Sequence, residues 1–474
     1  MYPQVLTAAL AASVASAASL FGSSPVEATP DQSELFPFLA GAAPYFKYPL
    51  GNDYYKIDTA IPDTCTLKQV QVFARHGERF PSASSGNKLI KLYNTKFANL
   101  TKDALIDNEY FGFLLDPTYE FFLPDNSTLN LETTTENSIT GPLNIYSGEN
   151  TALKFGAEFV EKYAELIGDE LPIFASSNTR VYDTAVNFGK SVEQYTNATV
   201  NVQILSEIEQ EGANCLTPAA SCQTWDDEEG YDIIEAFDTT YLDELAERLN
   251  NATTGLNLTS SDANLLFSWC AYEINAAGYS PVCEVFNQKE LILHAYYDDL
   301  TSFYSDGPGN SVIKPIGSVL FNASTALLKD PPTEYSAYIG FTHDTDLENM
   351  MAAVGLFDTG AMMNSTFEYR NTIYKKSWMT PMGARFVLEN YECGNSSYVR
   401  YVINDAVVPV PNCASGPGFS CEINDYYEYT EERLANVTDY VTACNVTAGL
   451  PSYVSFYWDW ESKNYTAPLN VASY

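Results

Sequence analysis

Residues 68–81 read KQVQVFARHGERFP, with Val70, Val72 and Phe73 making the first half strand-like. The run ends abruptly in Arg75-His76-Gly77-Glu78-Arg79. The chain has only three histidines, and this one stands between two arginines, where a positive charge on its ring is disfavoured. Two further segments repeat the order of apolar strand, polar turn and helix start. In 171–192 (LPIFASSNTRVYDTAVNFGKSV), Ile173, Phe174 and Ala175 make a short strand and a helix begins at about Thr179. In 337–357 (AYIGFTHDTDLENMMAAVGLF), Tyr338, Ile339 and Phe341 form the strand. There Thr345 and Glu348 make a capping-box pattern ahead of an apolar helix.

Upstream of the second strand, residues 150–168 place Leu153, Gly156, Phe159, Val160, Tyr163, Leu166 and Ile167 at helical spacing. Helix–strand–helix alternation predicts an α/β sheet. Open α/β sheets take ligands in the crevice outside the carboxyl ends of their strands. Arg75, His76, Arg79, Arg180, His343 and Asp344 all lie just past such ends and are expected to converge. Residues 206–330 read differently, with helical periodicity in DTTYLDELAERLN and KELILHAYYDDLTSFY and loops between. Together with 89–149 they are expected to form a largely helical cap on a core of 61–88, 150–205 and 331–474. Residues 18–60, including FPFLAGAAPYFKYPLG, are expected to be an extended segment packed on the surface.

Composition bounds the partners. In 474 residues there are 34 Tyr and 26 Phe, ample material for a core, and the formal net charge is −37. So acidic a surface repels polyanions, which argues against nucleic acid and anionic membranes. It serves solubility, and it also suits acid, where carboxylates protonate and the excess charge shrinks. The first residues have an apolar centre and small residues at Ala15-Ser16-Ala17, so residues 1–17 are expected to be a secretory signal peptide. Eleven Asn-x-Ser/Thr sequons are glycosylation candidates: Asn99, Asn126, Asn197, Asn251, Asn257, Asn322, Asn364, Asn395, Asn436, Asn445 and Asn464. Nine cysteines fit the same secreted compartment. Spacing favours the short-loop disulfides Cys270–Cys283 and Cys413–Cys421. One cysteine is left over, Cys215 or Cys222. No Cys-x-x-Cys pair exists and no histidine lies near a cysteine, so no zinc site is expected.

The six converging residues define a chemistry. Three arginines and a histidine facing one crevice match a tetrahedral phosphate. The arginines push the His76 pKa down, and the neutral imidazole is a nucleophile toward phosphorus. Asp344 can give a proton to the departing alkoxide and then take one from water. At a helix start its charged form is favoured, so the substrate complex rather than the free protein is expected to hold it protonated. His294, in an apolar tyrosine-rich helix, reads as structural. FGKS at 188–191 lacks the upstream glycine of a P-loop, and Asp344-Thr345-Asp346 has no further ligands to make a metal site.

RHGERFP with a later THDTD resembles the histidine acid phosphatases, marked by R-H-G-x-R-x-P and a His-Asp. FPFLAGAAPYF, GLNLTSSDANLLFSWCAYEINAAGYS, YVINDAVVPV and GPGFSCEIND resemble the secreted, phosphate-repressible acid phosphatases of yeasts, to which some fungal phytases are related. The resemblance covers nearly the whole mature chain. It implies an α/β, mixed-sheet three-layer core domain with a smaller, mostly helical cap domain. It also implies His76 as phosphorylated nucleophile, Asp344 as proton donor, and Arg75, Arg79, Arg180 and His343 as phosphate ligands. A family disulfide joins the segment before the first strand to the region after the His-Asp helix. Cys65–Cys393 is its natural counterpart, with Cys222–Cys444 a looser one. No cofactor is implied.

The expected function is hydrolysis of small-molecule phosphomonoesters at acid pH by a secreted, N-glycosylated protein of the cell wall, periplasmic space or medium, scavenging phosphate. A phytase is the nearest rival. It would want a basic cap, whereas EIEQEG, WDDEEG and YLDELAE are acidic. A cytoplasmic phosphoglycerate mutase and a catalytically dead wall glycoprotein fit less well, given the signal, the sequons, and the presence of His76 and Asp344. The sequence leaves a homo-oligomer open.

Overall fold

The computed structural model describes residues 31–49, 57–123, 133–135, 144–332, 335–369 and 372–470. The expected signal peptide and Asn126 lie outside these residues. The strands are β1 (Cys65–Arg75), β2 (Glu170–Ser176), β3 (Thr199–Leu205), β4 (Ala337–Thr342), β5 (Arg385–Cys393), β6 (Ser396–Ile403), β7 (Ala406–Val408) and the short β8 (Cys421–Glu422). They form one sheet in the order β3-β2-β4-β1-β5-β6-β7, with β8 against β6. The β3, β2, β4 and β1 strands are parallel, and β5, β6 and β7 continue antiparallel. The sheet is therefore mixed. All three strands read from the sequence lie side by side in its middle.

The longer helices, in chain order, are α1 (Ala83–Leu92), α2 (Gly148–Tyr163), α3 (Thr179–Tyr195), α4 (Thr240–Ala252), α5 (Ser260–Ala277), α6 (Gln288–Ser305), α7 (Ile313–Lys329), α8 (Asp344–Val354) and α9 (Ile423–Leu434). No helix of the described residues is long and apolar enough to cross a membrane. Successive residues of a strand face opposite ways, and β1 uses both faces. Val70, Val72 and Ala74 pack with Phe155 and Phe159 of α2 and Phe188 of α3. Phe73 points into the second core, which α7 and α8 help to fill. On that side Gln69 and Gln71 donate to the Leu327 and Ser324 carbonyls of α7, at 2.8 and 2.9 Å. Helices on both faces of the sheet make the expected three-layer arrangement.

Phe188 is wholly buried, with ring centroids 4.9 Å from Phe155, 5.3 Å from Phe159 and 5.4 Å from Phe341. Phe188→Ala is expected to cost about 3–5 kcal/mol, because the cavity forms where α2 and α3 pack on the sheet. Thermal or denaturant unfolding reads this directly, and a loss under about 1 kcal/mol, ordinary for a surface site, would refute that packing.

Disulfides join Cys65 to Cys393, Cys222 to Cys444, Cys270 to Cys283 and Cys413 to Cys421. Cys215 is the free, buried thiol. The first bridge clamps the start of β1 to the end of β5, where the two residues are direct partners in the ladder.

Two sequence expectations are corrected. Residues 33–42 are two 3-10 turns rather than an extended strip, and Phe36, Leu39 and Ala43 are buried rather than superficial. The capping box is absent too: His343 is the N-cap of α8 and Thr345 lies inside the helix. Glu348 is turned inward instead, accepting hydrogen bonds from Tyr374 and Thr380, both at 2.7 Å, and from Ser302. A buried partner set outweighs a cap that would satisfy a single backbone N–H.

Candidate active site

The carboxyl ends of β1, β2 and β4 lie in a row, and each releases its chain into the site. Arg75 closes β1 opposite Thr342 of β4. The His76 amide donates to the Thr342 carbonyl at 3.1 Å, and the Gly77 amide to Thr184 Oγ1 on α3 at 2.9 Å. The turn needs its glycine: a Cβ on Gly77 would stand 2.8 Å from the Gly148 carbonyl oxygen, at the start of α2. A side chain there would push the loop off the helix.

His76 is 1% exposed. Its Nδ1 lies 2.8 Å from the carbonyl oxygen of Gly77. A carbonyl only accepts, so Nδ1 carries the proton and Nε2 keeps its lone pair. Burial, followed by the charges of Arg180, Arg75 and Arg79, holds the ring well below its ordinary pKa. It stays neutral in acid.

Arg75 is buried and fixed by the carbonyls of Gly41 and Thr380, at 2.6 and 2.7 Å. Arg79 lies over the Tyr272 ring, 5.6 Å from its centroid. Arg180, in the first turn of α3, sends Nη2 to His343 Nδ1 at 3.1 Å. Its Nε and Nη1, like Nε of Arg75 and Arg79, are buried and have no hydrogen-bond partner among the described residues. Such a set of inward N–H donors is complementary to an oxyanion. Burial brings Arg180 down to about 10, so it remains a cation in acid.

The β4–α8 junction supplies the other half. His343 stands with its ring 5.9 Å from that of His76. Its Nδ1 accepts from Arg180, so its proton is on Nε2, which donates to Glu207 Oε1 at 2.6 Å. Asp344 opens α8. Its Oδ2 is 3.3 Å from Arg75 Nη2 and 3.2 Å from Lys376 Nζ. Burial alone would raise its carboxyl, but Arg75 and Lys376 hold it well below the usual carboxylate range. The free protein therefore carries Asp344 ionised. The six residues expected to converge do so.

Two neighbours were not among the residues expected at the site. Glu207, read in the sequence only as the first residue of the acidic EIEQEG stretch, lies two residues past the end of β3. Lys376 lies in a short turn before β5 and contacts Glu348 at 2.5 Å as well as Asp344. Burial opposes its charge, but Glu348 and Asp344 hold the ammonium above its ordinary pKa. A cleft of about 400 Å³ opens on Arg75, Arg79, Asp344 and Lys376 and runs on past Tyr272, His294, Asp298 and Asp306. His294 serves as wall, stacked 3.7 Å over Phe267 and paired with Tyr241 at 3.2 Å.

A neutral imidazole with a free Nε2, ringed by three guanidiniums and an acid at a helix start, is the arrangement of a phosphoryl-transfer enzyme that works through histidine. The chain belongs to the histidine phosphatase superfamily (branch 2), whose model matches residues 66–404. It is 45% identical to the constitutive acid phosphatase of Saccharomyces cerevisiae, over 92% of each chain. With the repressible acid phosphatase of that yeast it shares 43% identity over 99% of each chain. The crystal structure of the phytase from D. castellii is similar at 39% identity and a TM-score of 0.84, covering 96% of this chain and 97% of that one.

Proposed function

We propose that this protein is an acid phosphatase that hydrolyses phosphomonoesters through a phosphohistidine on His76, with Asp344 as proton donor. The observation that carries this reading is the tautomer of His76: Nδ1–H is spent on the Gly77 carbonyl, leaving Nε2 as a free base among three arginines. Nε2 attacks phosphorus, the bond to the ester oxygen breaks, and the leaving alkoxide takes the proton of Asp344. Water then attacks the phosphohistidine and gives its proton to the Asp344 carboxylate, releasing phosphate and restoring His76. Arg75, Arg79 and Arg180 hold the equatorial oxygens throughout.

Substrate binding lets Asp344 take the missing proton from solvent. A phosphate placed against Arg75 adds negative charge beside Asp344 and draws on the guanidinium that keeps the carboxylate ionised. The acid form is thereby favoured in the complex, and it is lost as pH rises. Activity is expected on the acid side.

The outer cleft favours broad specificity over phytate. The acidic stretches singled out in the sequence do not line it, but Asp298 and Asp306 do. Burial raises these carboxyls, to about 7 and about 6, so they are neutral in acid and repel polyanions as pH rises. A phytase is the second reading, favoured by the similarity to a phytase structure. Initial rates on glycerophosphate, nitrophenyl phosphate and phytate from about pH 3 to about pH 7 decide between the two. Glycerophosphate and nitrophenyl phosphate are expected to lead throughout, with phytate falling away first as pH rises. Phytate as the preferred substrate at every pH would select the phytase.

Secretion as a glycoprotein is supported by the ten described sequon asparagines, all of them exposed, and by the four disulfides.

A further inference from the structure

His343 poses a problem for any account of phosphate binding. Its Nδ1 accepts from Arg180 and its Nε2–H is committed to Glu207. Neither ring nitrogen of the free protein has an N–H to offer a phosphate. Arg180 meanwhile spends one of its donors on a histidine.

We propose that Glu207 is a positioning residue that fixes His343 with its proton on Nε2 and stabilises the imidazolium formed when Nδ1 gains a second proton on oxyanion binding. The inference rests on the phosphatase reading and deepens it. Protonation turns Nδ1 from acceptor to donor, so Arg180 Nη2 is repelled from the ring and freed for the phosphate. One event thus adds two donors to the oxyanion. In acid a phosphomonoester is a monoanion, its second pKa being about 6. It can bring this proton itself: an O–H of the ester gives its proton to Nδ1, the ester becomes a dianion, and total charge is unchanged. At higher pH the ester has no such proton and binding must draw one from water.

The surroundings of His343 suit this exchange. Burial and Arg180 of α3 hold the ring below its ordinary pKa in the free protein, while Glu207 and, on its own helix, Asp344 favour the imidazolium. Asp346, pushed by burial well above the usual carboxylate range, favours its neutral form, so the charge that completes the exchange is that of the bound oxyanion. Glu207 faces the ring from the far side, with both side chains about 15% exposed. Burial would raise Glu207, but the His343 hydrogen bond, with Arg180 and Asn470, keeps it below its ordinary value. It is therefore an anion where an imidazolium needs one.

Sulfate separates the pieces, because it is a tetrahedral dianion with no proton to give. Asp344 also takes up a proton when an anion binds, so the experiment is run on Asp344→Asn. Calorimetry of sulfate binding at about pH 5.5, in buffers of different ionisation enthalpy, counts the protons taken up. One proton is expected for Asp344→Asn and almost none once Glu207→Gln is added. The amide still accepts from Nε2–H but carries no charge. Sulfate affinity should then fall about tenfold or more, since an opposite charge in contact shifts a pKa by one to three units. Asp344→Asn with His343→Asn should likewise take up no proton, which guards against a folding defect peculiar to Glu207→Gln. Equal uptake with and without Glu207, or none in Asp344→Asn, would overturn the proposal while leaving the phosphate site intact. Failure of sulfate to bind Asp344→Asn at all would overturn both.

Discussion

His76→Ala is expected to lower kcat on any phosphomonoester by a factor on the order of 10⁵ to 10⁶, the usual cost of removing a covalent nucleophile. The arginines remain, so the variant should still bind phosphate and KM should change little. The loss has a specific cause. Water would have to attack phosphorus unaided at a position built for Nε2, and alanine leaves a small gap at a buried site. A thermal midpoint near that of the parent, together with retained inhibition by inorganic phosphate, separates lost chemistry from lost folding. Retention of more than about a hundredth of the activity would place the nucleophile elsewhere.

Asp344→Asn should slow alkyl phosphates by about 10²- to 10⁴-fold, the range of general acid catalysis. Nitrophenyl phosphate should lose far less, because its leaving group scarcely needs a proton. The pH profile tests the same point. Asp344 is ionised in the free protein because Arg75 and Lys376 sit 3.3 and 3.2 Å away. Its folded-state pKa is depressed, so the acid form exists only in the complex and is lost as pH rises. The fall of kcat for alkyl phosphates at higher pH should therefore disappear in Asp344→Asn. Equal losses on both kinds of ester would remove Asp344 from the proton-donor role.

Much of this site is legible in the chain because each strand end carries a residue that is rare here. With three histidines in all, His76 and His343 stand out, and the helix after each turn tells where the strand must stop. Glu207 and Lys376 could not be found the same way. Glu207 stood out only as part of the acidic EIEQEG run, and one base among 24 carries no signal of its own in a loop without periodicity. Their roles come from tertiary approach, Glu207 to β4–α8 and Lys376 to α8. The same approach overrode the capping box, because Lys376, Tyr374 and Thr380 gave Glu348 a buried place of its own.

The fold divides similarly. Three of the four parallel strands, β1, β2 and β4, could be read from strand–turn–helix segments, whereas β3 was not. The antiparallel half, β5 to β7, came only from family resemblance, since its strands are joined by short hairpins that leave no helical marker. The N-terminal turns were misread because their prolines and glycines suggest a surface strip. In fact they bring the Gly41 carbonyl to Arg75.

The central claim is that phosphate passes through the imidazole of His76. Rapid acid-free quenching of the protein turning over a phosphate-labelled ester, followed by peptide mapping, tests it most directly. The account predicts label on the peptide containing His76, stable in alkali and released by mild acid. Label on a serine, threonine or carboxylate, or on a peptide carrying His343 or His294, would contradict it.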